Sequence, residues 1–181
     1  MKMASIALLL LFVISGCGGT ITRPGTPVVL SPGSITIQNV MPYGVDSMIA
    51  DNIKDECEIG QQLSASIKEA AEDNGLELRG VDAVDTSEPG NVLKLEITHA
   101  VSKGHPGLGH RKGTSIRGEL FENGKLLASF SGARTSGGGF LGKYRSSCSV
   151  LGRTVEALGK DIVTWLKQPS NNAYLGDESF F

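Results

Sequence analysis

The chain has 181 residues, 40% of them hydrophobic, and sets 17 Lys and Arg against 19 Asp and Glu for a formal net charge of −2. That balance excludes a general nucleic-acid binder, whose affinity rests on an excess of cations facing phosphate. The length suits one domain with a sizeable core and leaves no room for a second of full size.

In chain order, the first element is an apolar run from Ile6 to Ile14 that ends in Ile14-Ser15-Gly16-Cys17. Nine residues are too few to cross a hydrocarbon core about 30 Å thick, which takes about 20 helical residues. A plain secretory signal ends in small residues at alternate positions, and the cysteine fits that pattern poorly. The four residues resemble the lipobox of bacterial lipoproteins. The resemblance implies that residues 1–16 are a signal peptide, that Cys17 is lipidated with diacylglyceryl and palmitate, and that several acyl chains hold the protein durably on a bilayer. Gly18 stands where an Asp would mark inner-membrane retention. By the same resemblance the protein belongs at the outer membrane with its domain facing the periplasm.

Residues 17–34, rich in Gly and Thr and containing Pro24, Pro27 and Pro32, read as an extended tether on which Val28-Val29-Leu30 would dock locally. A single domain is expected over 35–169. It opens on a short strand, Ile35 to Val40, followed by a loop through Pro42. Asp55 and Glu58 have capping-box spacing, and Ile59, Leu63, Ile67, Ala70 and Ala71 then share one helical face up to Gly75. A strand follows around Leu76 to Val81. A stronger one runs from Asn91 to Val101, with Leu93, Leu95, Ile97 and Val101 alternating against Lys94, Glu96 and Thr98.

Thr114 to Phe121 and Lys125 to Thr135 flank Asn123-Gly124. That pair predicts a type I′ hairpin turn with Glu122 opposite Lys125 and Phe121 opposite Leu126. Val150 or Leu151, Val155, Leu158, Ile162, Trp165 and Leu166 mark a second amphipathic helix, ended by Pro169. Together these predict an α+β fold: a mostly antiparallel sheet of about five strands with two helices on one face. Residues 170–181, finishing Phe180-Phe181, read as a flexible tail that either binds a partner or folds back.

Beyond the anchor, Cys57 and Cys148 form an even pair in an oxidising compartment, and we expect them to be joined, fastening the beginnings of the two helices. Neither lies in a CxxC, which argues against a redox or metal role.

The candidate anion-binding residues are Lys103, His105, His110, Arg111 and Lys112 in the segment Lys103 to Gly113, with Lys143 and Arg145 in the glycine-rich segment that follows Ser136. Arg and Lys donors on a mobile loop suit phosphate, a lipid headgroup or acidic glycan; a solvated connection is the plainer reading. As a metal site His105 and His110 lack a third ligand, and His99 reads as a satisfied core histidine. Gly137 to Gly142-Lys143 matches phosphate-loop spacing, but Tyr144 replaces the Ser or Thr that would hold magnesium. Arg134, Lys143 and Arg145 are expected on the surface. Catalytic motifs are absent and no cofactor is implied.

The stretch from Ile116 through Trp165 is similar to small periplasmic lipoprotein modules with a charged hairpin, a Gly-Gly-rich loop and a closing amphipathic helix. The resemblance implies an accessory or binding role. The sequence thus reads as a membrane-anchored, non-enzymatic module whose partner is an envelope protein or an anionic envelope polymer. Its alternatives are a periplasmic hydrolase or metal protein using His105 and His110, and a structural link between outer membrane and cell wall.

Overall fold

The computed structural model describes residues 25–105, 109–137 and 147–177. In order these form β1 (Thr26–Pro27), β2 (Ile35–Gln38), β3 (Tyr43–Ile49), α1 (Asp51–Cys57), α2 (Ile59–Asp73), β4 (Leu78–Val81), β5 (Asn91–His105), β6 (Gly109–Glu122), β7 (Lys125–Gly137), α3 (Ser147–Lys167), β8 (Ser170–Asn171) and β9 (Ala173–Gly176). Seven strands make one sheet in the order β4-β2-β5-β6-β7-β9, with β3 also beside β5, while β1 and β8 form a separate pair.

The α+β class holds, but the sheet is mixed. Only β5/β6 and β6/β7 are antiparallel; β2/β4, β2/β5, β3/β5 and β7/β9 are parallel. Parallel neighbours require a crossover, and the helices supply it: α1 and α2 carry the chain from β3 to β4, and α3 carries it from β7 back beside β7 as β9. β3, which the sequence reading passed over as loop, pairs irregularly and leaves Val45 fully exposed. Such a strand shows no clean alternation.

The hairpin turn is as expected. Asn123 and Gly124 take φ of 50° and 79°, with Glu122 opposite Lys125 and Phe121 opposite Leu126. A bulge follows immediately, since Leu120 faces Ala128. A second bulge, between Ile97 and His99, shifts the phase of β5. Leu93, Leu95 and Ile97 are buried as predicted, but past the bulge Ala100 takes the core position that strict alternation assigns to Val101.

Both predicted helical faces are buried: Ile59, Leu63, Ile67, Ala70 and Ala71 on α2, and Val150, Leu151, Val155, Leu158, Ile162, Trp165 and Leu166 on α3. The capping box is not formed. The chain is already helical from Asp51, and Glu58, in the left-handed region at φ 45°, is the joint between α1 and α2 with no side-chain cap. At the far end of α2, Leu76 N–H donates to the Ala71 carbonyl and Gly75 N–H to Glu72, a Schellman closure. Gly75 sits at φ 68° with open space around its Cα. Gly75→Ala is therefore expected to cost about 1 kcal/mol through backbone conformation alone, read as a shift in the urea midpoint with an unchanged slope.

Cys57 and Cys148 are joined, Cα to Cα 4.8 Å, which ties the α1–α2 joint to the first turn of α3 as anticipated. Two boundaries move. Residues 25–34 are not tether: Val28 N–H donates to the Pro169 carbonyl, and Ser31 bonds both Glu122 and Asn91. Residues 170–176 are not a free tail: β9 is an edge strand, with Ala173 and Leu175 buried. Short polar-flanked strands of this kind carry too little periodicity to stand out in sequence.

Candidate functional site

Within the segment Lys103 to Gly113, residues 103–105 and 109–113 are paired strand and not loop. Lys103 pairs with Arg111, Gly104 with His110 and His105 with Gly109. Faces follow from Thr114, whose Oγ1 lies 2.7 Å from Thr154 Oγ1 on α3, so Thr114 faces the helices. Lys112, two residues away on the same strand, shares that face, while the side chains of Lys103, His105, His110 and Arg111 lie outside the described ones. Lys112 is buried, and desolvation pulls its ammonium below the usual lysine range. Lys143, Arg145 and the phosphate-loop spacing lie outside the described residues, as does Cys17.

His99 is not a satisfied core histidine. The bulge turns it away from the helices, opposite Ser115, and its buried Nδ1 and the Ser115 Oγ both lack a hydrogen-bond partner. Among the described residues no three His, Cys, Asp or Glu side chains gather as metal ligands, and no helix is long and apolar enough to cross a membrane. A groove of about 860 Å³ runs under the N-terminal segment between Val28, Leu30, Leu76 and Leu166.

Arg134, expected on the surface, is mostly buried. It forks Asp161 on α3 (Nε to Oδ2 2.7 Å, Nη2 to Oδ1 2.8 Å) and reaches Asp177 beyond β9 (Nη1 to Oδ1 3.1 Å). The bonds to Asp161 raise its pKa further. Nothing in the sequence flags this trio, since its members are 27 and 43 residues apart.

No protein-family model and no functionally curated protein matches the chain. Solved structures do. Protein XCC0632 from Xanthomonas campestris, of the DUF330 family, has a TM-score of 0.54 at 10% identity, covering 79% of this chain and 91% of that one. A PelC dodecamer from Paraburkholderia phytofirmans has a TM-score of 0.48 at 14% identity, covering 77% and 96%. Lipoprotein GNA1162 from Neisseria meningitidis has a TM-score of 0.45 at 18% identity, covering 74% and 99%. The first shares this fold. At such identity the likeness is one of fold alone.

Proposed function

We propose that the chain is a lipid-anchored, non-enzymatic binding module of the bacterial envelope, held at the outer membrane through Cys17. The observation that carries this reading is the polarity of the domain. Its N-terminal segment is fastened at one end of the sheet, where Ser31 bonds Glu122 at the end of β6 and Asn91 at the start of β5. The opposite end of β5, fourteen residues on at about 3.3 Å each, is roughly 45 Å away and carries the basic hairpin. An anchor at the near end presents that hairpin to the periplasm, away from the lipid headgroups to which the anchor is bound.

The reading is tested with a photocrosslinking residue at Val101, on the hairpin, in cells carrying either Cys17 or Cys17→Ala. We expect the Cys17 chain in the membrane fraction with a recurrent adduct, and the variant soluble with that adduct lost. Equal fractionation and equal adducts from both chains would overturn the reading; adducts to peptidoglycan alone would favour a structural link to the wall.

A further inference from the structure

Residues 25–34 form a strap across one end of the domain, and none of them is charged. Val28 and Leu30 pack on the core, so Val29 between them points outward and is 88% exposed. Pro27 and Pro32 are exposed beside it. Val29 also lines the groove between the strap and Leu76 and Leu166, so the apolar surface continues from the strap into the groove.

The backbone of the strap is largely satisfied without water. Pro27 and Pro32 have no N–H, the Val28 amide donates to the Pro169 carbonyl at 2.9 Å, and that of Ser31 donates to Glu122 at 3.0 Å. An amide without a partner is costly where water is scarce, so such a backbone suits an apolar medium. Val45, equally bare on β3, is followed directly by Asp46.

Chain length brings the strap to the bilayer. Gly25 is pressed against the Asn171 carbonyl, where a Cβ would not fit, so the strap starts from a fixed point. Gly25 is eight residues beyond Cys17. Those residues span at most about 28 Å when fully extended, less than the roughly 45 Å length of β5. A short tether holds the strap at an effective concentration of about millimolar toward the surface that carries the anchor, so a contact too weak to hold a free protein is populated in a tethered one.

We propose that the strap is the membrane-facing surface of the domain, with Pro27, Val29 and Pro32 resting in the interface of a zwitterionic bilayer and the mouth of the groove facing the lipid. The groove lining carries one base and one acid, Lys167 and Glu77, while Glu72 and Asp73 lie exposed on the last turn of α2. That surplus of carboxylates disfavours anionic headgroups. The inference rests on the lipid-anchored reading and names the surface by which that module meets lipid.

The test uses the full lipidated chain in vesicles of phosphatidylcholine whose acyl chains are brominated near the headgroup, with Val29→Trp as the reporter. Trp165 is 4% exposed and serves as the silent background. Interfacial apolar side chains lie about 5–10 Å into the headgroup boundary, so emission from Val29→Trp is expected to fall about twofold. Val45→Trp, on β3 beside Ile97 and about 20 Å along β5 from Asn91, is expected to keep its emission. Quenching should persist at about 1 M salt, where the screening length is about 3 Å, and weaken when phosphatidylglycerol replaces part of the lipid. A chain that fails to stay on the vesicles sinks the anchored reading and this contact together. A chain that stays, with Val29→Trp unquenched or Val45→Trp quenched equally, overturns the contact alone.

Discussion

Replacing Cys57 and Cys148 together by Ser lowers the unfolding free energy by about 4 to 5 kcal/mol, the value the chain-entropy account gives for closing a loop of 91 residues. Two features of the structure favour an effect of that size. The bridge ties elements that share no backbone ladder: the α1–α2 joint, where Glu58 is held in the left-handed region, and the first turn of α3. Cys57 is also buried, so the serine that replaces it puts a hydroxyl into the core. The measurement is urea unfolding of the double variant beside the wild-type chain with and without reductant. The reduced wild type should approach the variant. A loss below about 1 kcal/mol would mean that α1 is held to α3 by packing and that the covalent link is redundant.

The parts of the fold legible in the sequence were those specified within a few neighbouring residues. Asn123-Gly124 set both the turn and its register, because positive φ at two successive positions is a local demand. The stripes of α2 and α3 announced their buried faces for the same reason. What escaped was set by distant partners. β3 is held against β5 through an irregular register, and β9 is recognisable only once α3 has carried the chain back beside β7. The β5 bulge mattered most for the site. One extra residue inverted the faces of β5 beyond Ile97, so that His99 left the core side, while Lys112 kept the phase of Thr114 and Ile116 on β6 and is buried.

Arg134→Met is expected to destabilise the protein by about 3 to 5 kcal/mol, since it strips the only described cation partner from two carboxylates that are largely shielded from water. Asp161 is 11% exposed and Asp177 25%, and methionine restores the packing of the stem but none of the charge. Arg134→Lys should fall between the two, because an ammonium cannot fork both Asp161 oxygens while also reaching Asp177. Pairing Arg134→Met with Asp161→Asn gives a double-mutant cycle, and a coupling near zero would refute the assignment. The consequence extends beyond stability. Asp177 also accepts bonds from the Thr135 N–H and hydroxyl at 2.8 and 2.9 Å, so the same cluster pins the C-terminal edge strand and the far end of β7 to α3. A chain that has lost Arg134 should therefore become sensitive to proteolysis near Asp177, and an unchanged proteolysis pattern would mean that the edge strand is held without it.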